Sequence, residues 1–154
     1  MIPEQEIRTL SRPRRTAKTM KGIDMNDGEL VIRVVAMPAD TNPSGDVFGG
    51  WLLSQMDLAA WVEARQHTPH RLATVAMDNV ALHRPVYVGD CLLCYAKVER
   101  IGRTSITIQV EAMVERVDGG ATEQVTEGRF VLVAIGPDRK PVPIEAEEQT
   151  PGQI

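Results

Sequence analysis

The sequence predicts an α+β fold in which an antiparallel sheet wraps around one long hydrophobic helix. Three observations predict it. A proline-free stretch, Phe48–His67, carries apolar residues over most of a helix circumference. The segments after it read as strands, and one of them alternates strictly between apolar and polar positions. The 154 residues leave room for one buried core and not two.

Taken in order, Glu29–Met37 (ELVIRVVAM) is rich in β-branched residues and stops at Pro38, which marks a strand. Pro38–Gly45 follows as a turn-rich stretch, with Pro43, Ser44 and Gly45 as breakers. In Phe48–His67 the residues Trp51, Leu52, Leu53, Met56, Leu58, Ala59, Ala60, Trp61 and Val62 leave almost no polar face. A helix apolar nearly all round must be wrapped by the rest of the fold. Polar character returns at Glu63, Arg65 and Gln66, where the far end meets water.

Thr74–Leu82 reads as a strand, Arg84–Asp90 as a connector, and Cys91–Ile101 as the next strand, closed by a tight turn at Gly102–Arg103. Ser105–Arg116 places Ile106, Ile108, Val110, Ala112 and Val114 on one face. Thr107, Gln109, Glu111 and Glu115 fall on the other, as in a half-buried antiparallel strand. Asp118-Gly119-Gly120 marks a hairpin, and Gly128–Ile135 (GRFVLVAI) closes the sheet.

Both ends read as tails. Residues 1–28 hold Arg8, Arg12, Arg14, Arg15, Lys18 and Lys21 among prolines and hydroxyl residues, the composition of a disordered basic arm. No apolar h-region is present, and Glu4 and Glu6 speak against a transit peptide. Residues 139–154 read as a flexible acidic tail, which leaves 29–138 as the folded domain.

Several functions are disfavoured. No apolar run is long enough for membrane insertion, and a net charge of −4 argues against nucleic acid as a partner. His67, His70 and His83 lack zinc spacing, so no metal is expected. There is no G-x-S-x-G elbow, and Gly49-Gly50 belongs to no nucleotide-binding loop. Cys91 and Cys94 form a lone CxxC in a strand, read as reduced thiols of a cytoplasmic protein.

The stretch Ala36–Gln55, AMPADTNPSGDVFGGWLLSQ, resembles the signature of the YciA-like acyl-CoA thioesterases of bacteria. Arg84–Asp90 (RPVYVGD) and Gly102–Ile106 (GRTSI) resemble that family's later motifs, in order. The resemblance spans about residues 29–138. It implies a hotdog-fold protomer that works as a homodimer, often as a hexamer built from three dimers, with active sites at the dimer interface. It implies acyl-CoA as substrate, water as acyl acceptor, and no cofactor, CoA being part of substrate and product.

Candidate site residues follow. Asp46 stands just before the helix; on physics alone an Asp there is most often an N-cap, whereas the resemblance makes it the general base or nucleophile. Gly49 and Gly50 at the helix start let a thioester carbonyl approach free N–H groups and the positive dipole end. Asn42 either orients water or the thioester or, before Pro43, closes an Asx-turn. Asp57, inside the apolar helix, is the second catalytic candidate or a buried acid satisfied by donors. For the polyanionic CoA, Arg84 and Arg103, in motifs that resemble the family's CoA-facing segments, offer guanidinium forks, with Arg100 close by; each is otherwise a hairpin charge facing water. Gly102, Thr104 and Ser105 offer backbone and hydroxyl groups for the pantetheine arm. The alternatives are a non-catalytic acyl-CoA-binding regulator of the same fold and a dehydratase, which would need a histidine–acid pair at the helix entrance.

Overall fold

The computed structural model describes residues 28–145, so the arm read over 1–28 and the last residues of the acidic tail lie outside the described residues, Gly28 apart. The chain forms β1 (Glu29–Val35), α1 (Gly49–Ala64), β2 (Arg71–Leu82), β3 (Cys91–Ile101), β4 (Ser105–Glu115) and β5 (Glu123–Ile135). The strands make one five-stranded sheet in the order β1-β3-β4-β5-β2, each neighbouring pair antiparallel. The chain crosses from one edge strand to the other through α1, so the helix lies across the inner face.

The alternation read in β4 fixes which side is inner. Ile106, Ile108, Val110, Ala112 and Val114 are buried, together with Leu92, Cys94, Ala96, Phe130, Leu132 and Ala134 from the flanking strands. Leu52, Met56, Ala59, Ala60 and Ala64 of α1 close onto them. Gly128 in β5 makes room where the helix comes down: a Cβ there would sit 3.1 Å from Val80 and 3.5 Å from the Met56 methyl. The opposite side of the helix stays open, with Phe48, Leu58 and Trp61 exposed.

Several element boundaries differ from the sequence reading: β1 stops at Val35 and not Met37, and β4 at Glu115 and not Arg116. The helix begins at Gly49 and not at Phe48, whose backbone is extended, and after Ala64 it tightens into a 3-10 turn over Arg65–His67. Strand β2 begins at Arg71 and not at Thr74, and β5 begins at Glu123 and not at Gly128. The added residues are held by cross-strand pairing such as Arg71↔Ile135 and Glu123↔Val114, and they include poor strand formers at Arg71, Ala73, Glu123, Gln124 and Glu127.

The packed chain also continues past the boundary at residue 138. A turn at Gly136–Lys140 brings Val142 back to donate to the Ala134 carbonyl, and Ile144, buried, donates to the Arg103 carbonyl. The prolines that made this stretch read as tail are tolerated because Pro141 makes only an isolated bridge to Ile135. No helix of the described residues is long and apolar enough to cross a membrane.

Phe130, midway along β5, is fully buried. Phe130→Ala should lower stability by about 3–5 kcal/mol through lost burial and a cavity that the flanking strands hold open. Denaturant melting beside the parent protein reads this directly.

Candidate active site

Asp46 lies in a loop built almost entirely by backbone hydrogen bonds. The Asn42 side-chain oxygen accepts from the Ser44 and Asp46 amides at 2.9 and 3.1 Å. Asn42 N–H donates to the Asp46 carbonyl at 2.7 Å, and Gly45, at φ +90°, donates to the Asn42 carbonyl. Asn42 is therefore the Asx-turn residue, holding the peptide that carries Asp46. The loop is then pinned outward: Val47 N–H donates to Val86 C=O at 2.9 Å and Phe48 N–H to Asp40 C=O at 3.0 Å.

Asp46 does not cap the helix. The N-cap residue is Phe48, which makes no side-chain capping bond. Among the described residues none donates a hydrogen bond to the Asp46 carboxylate, which is half-exposed at the helix entrance. Trp51 and Leu52 N–H both turn back to the Phe48 carbonyl, at 3.1 and 3.3 Å. The amides of Gly49 and Gly50 have no acceptor among the described residues. Open space lies in front of Gly50, where nothing comes within 4 Å of an added Cβ. An uncommitted carboxylate thus precedes, within a few residues of sequence, two amides without an acceptor at a positive helix end, the elements needed to activate water and hold an oxyanion.

Asp57 is placed elsewhere. Eight residues into α1, at about 1.5 Å per residue, it lies roughly 12 Å along the helix from Gly49. It is half-buried, and its carboxylate accepts from the Thr74 hydroxyl at 2.6 Å.

The basic candidates do not form one rim within a protomer. Arg84 follows β2 at the Asp46 end, its N–H donating to the Val125 carbonyl, and its side chain is exposed. Gly102, Arg103, Thr104 and Ser105 form the β3–β4 turn, closed by Gly102 N–H to the Ser105 carbonyl at 2.8 Å, with Arg100 just before it. That turn is at the opposite end of the sheet, separated by the length of β4, whose 11 residues at about 3.4 Å each span roughly 35 Å.

Three groups escaped the sequence reading. Asp90, buried, accepts from the Tyr87 and Val117 amides at 3.0 and 3.1 Å and from the Arg116 guanidinium at 2.7 Å. Arg116 also grips Glu123 through two nitrogens, at 2.9 and 2.7 Å. Burial pushes the Asp90 carboxyl pKa up, but the two amides and the guanidinium outweigh it and hold the group below its ordinary value. An aspartate closing a Gly-Asp connector was the available signal; Arg116 and Glu123 carry none.

The cysteines face opposite sides of β3, Cys94 toward the core and Cys91 outward, and both are free. Burial pushes the Cys94 thiol up to about 12, so it stays protonated at neutral pH. No group of three or more potential metal ligands gathers among the described residues. The histidines are scattered, His67 beside Glu63 and His83 beside Glu127.

Comparison with known proteins agrees with this architecture. Residues 44–120 match the thioesterase superfamily model, a span that includes Asp46, the helix and both later motifs. The chain is 45% identical over 123 residues to the acyl-CoA thioester hydrolase YciA of Salmonella typhimurium, covering 78% of this chain and 92% of that protein. Among solved structures, a hexameric thioesterase from Yersinia pestis aligns with a TM-score of 0.74 at 42% identity, covering 78% of this chain and 98% of that one. A hexameric hotdog-fold thioesterase of Campylobacter jejuni aligns with a TM-score of 0.72 at 44% identity, covering 77% and 91%. The fold is thus the hotdog fold of the thioesterase superfamily. Within that superfamily the chain belongs to the YciA-like acyl-CoA thioesterases.

The lowered Asp90 pKa fixes a sign. A carboxyl held below its unfolded value of 3.8 contributes stability in full above that pH and loses it as pH falls through the folded value. Asp90→Asn should cost about 2 kcal/mol at neutral pH. The gap between mutant and parent should stay constant down to about pH 5 and close below 3.8. Denaturant midpoints across that range are the measurement, and a gap that widens in acid would contradict this account.

Proposed function

We propose that the protein hydrolyses acyl-CoA to CoA and a carboxylic acid in the cytoplasm, with Asp46 as the general base or nucleophile. The observation that carries this reading is the helix entrance, where, among the described residues, the Asp46 carboxylate receives no hydrogen bond and the Gly49 and Gly50 amides, at the first positions of the helix just after it in sequence, have no acceptor. The thioester carbonyl oxygen would be held by those amides, Gly50 being the more open. Asp46 would then either deprotonate a water that attacks the carbonyl, or attack it directly to form a mixed anhydride that water hydrolyses in a second step; in both cases the C–S bond breaks and CoA leaves as its thiolate. No metal or cofactor enters the scheme. Asn42 acts by fixing the Asp46 peptide, and Asp57 serves the helix–β2 contact through Thr74. The free, reduced cysteines suit a cytoplasmic setting. A non-catalytic acyl-CoA regulator would leave the carboxylate without a role.

The working unit in this reading is a dimer, and three dimers make a hexamer like those of the related thioesterases. Strand β2 is a free edge, with Val75, Met77, Val80 and Leu82 exposed, and beside it lies the open face of α1. An apolar unpaired edge is a pairing surface. A two-fold axis joining two β2 strands antiparallel puts the Leu82 end of one protomer beside the Arg71 end of its partner. The Gly102–Ser105 turn of one chain then reaches the Asp46 end of the other. CoA phosphates would be gripped by Arg84 from one protomer and by Arg103 from its partner, which resolves their separation within one chain.

Two measurements test the reading. Asp46→Ala should lower kcat by about 10²–10⁴-fold with little change in KM, because the carboxylate acts on the reacting carbonyl and not on the nucleotide. A near-parental kcat would remove Asp46 from the mechanism. Protomers carrying Asp46→Ala and Arg103→Ala, mixed in equal amounts and refolded together, should regain activity at sub-saturating acyl-CoA. Random pairing of composite sites leaves roughly a quarter of them intact. No gain over the separate mutants would put both residues in one protomer's site.

A further inference from the structure

We infer that Arg116 and Asp90 are positioning residues for the reaction, acting through the Val86–Val47 hydrogen bond on the loop that carries Asp46. The inference rests on the reading of Asp46 as the reacting carboxylate.

The connector between β2 and β3, residues 83–90, does more than join strands. Val86, fully buried, offers its carbonyl to Val47 N–H at 2.9 Å, and Val47 is the neighbour of Asp46. That bond and the isolated Thr41–Val47 bridge are what fasten the Asp46 loop to its surroundings at Val47. Whatever fixes Val86 therefore fixes the carboxylate.

Arg116 fixes Val86 from both sides. One of its nitrogens, Nη1, donates to the Pro85 carbonyl at 3.0 Å and to Asp90 at 2.7 Å. Asp90 in turn accepts from Tyr87 N–H, so the residues immediately before and after Val86 are held by one ion pair. The guanidinium also lies over the Tyr87 ring, 5.5 Å from its centre. Glu123 holds Arg116 from the other side with two bonds, which fixes the fork's direction.

The backbone around the pair admits little slack. Gly89 sits at φ +89°, and a Cβ there would come within 2.9 Å of the Val117 side chain. Gly89 N–H donates to the Ala36 carbonyl and Ala36 N–H to the Asp90 carbonyl, tying the connector to the chain leaving β1. That same chain runs on to Asp40, whose carbonyl accepts from Phe48 N–H at the helix N-cap. The clamp thus joins both anchors of the Asp46 loop. An ion pair with one member almost wholly buried and every bond directed holds position better than apolar packing alone.

The test compares Arg116→Gln, and Arg116→Lys as the milder variant should the first fail to fold, with the parent full-length protein. Hydrogen exchange of peptides spanning Val47 should speed up while peptides from the middle of β4 keep their protection. With folded fractions matched, kcat should fall about 10–100-fold, the scale of a displaced reacting group, with KM for acyl-CoA changed less than threefold. Adding Arg116→Gln to Asp46→Ala should produce no further loss, since both act on one group. Unchanged protection at Val47 overturns the clamp. Faster exchange with parental kcat overturns its part in the reaction, as does a fully additive double mutant. Parental kcat in Asp46→Ala alone removes the Asp46 reading and the catalytic half of this inference, while hydrogen exchange still decides whether the clamp holds Val47.

Discussion

The fold follows from one constraint: α1 is apolar around nearly its whole circumference, and a sheet has a single inner face to offer it. A helix of this kind cannot end up on the surface, so the chain carries it across the sheet from the β1 edge to the β2 edge and curls the strands beneath it. The five strands cover Leu52, Met56, Ala59, Ala60 and Ala64. They leave Phe48, Leu58 and Trp61 exposed, as are Val80 and Leu82 of the edge strand β2. One protomer thus satisfies the helix on one side only. Exposed apolar residues of the helix, together with an apolar β2 edge unpaired among the described residues, are why the proposed working unit contains two chains.

The entrance to the same helix shows what function adds to packing. An ordinary N-terminus is closed by a Ser, Thr, Asp or Asn side chain, worth about 1 kcal/mol. Here an aspartate stands two residues before Phe48 and does not cap, and the N-cap itself has no polar side chain. The local conformation is held instead by Asn42 and by backbone bonds to Val86 and Asp40. The cap is given up at the helix end and the loop is held by other bonds, which among the described residues leaves the amides and the carboxylate without partners, as the proposed reaction needs.

Much of this was legible in the sequence. The helix, the order of strands and the alternation in β4 follow from periodicity, because side chains on a half-buried strand must alternate. The starts of β2 and β5 were not legible, since Arg71, Glu123 and Gln124 take their conformation from partners distant in sequence. The site divides in the same way. Asp46, Asn42, Gly49 and Gly50 lie within nine residues, so one motif carried them all. Arg116 is 26 residues from Asp90, and no local pattern links them. Asp46 also reads as an N-cap from sequence, and only the turn geometry separates the two readings.

Arg84 and Arg103 show a deeper limit of linear reading. Both stand in motifs that resemble one family's substrate-facing segments, yet they lie at opposite ends of the sheet. A sequence lists which residues belong to a site without saying how many chains supply them. An antiparallel sheet of this width separates its two ends by the length of a strand, and no local rearrangement closes that gap. In the proposed dimer, a two-fold axis at β2 would close it without moving any atom of the protomer, because symmetry exchanges the ends. The same operation would cover exposed apolar residues of α1 and pair the β2 edge. On the proposed reading, the burial of one helix, the pairing of one edge and the completion of the CoA site are therefore a single event. A protomer kept apart from its partner would lack the last two together.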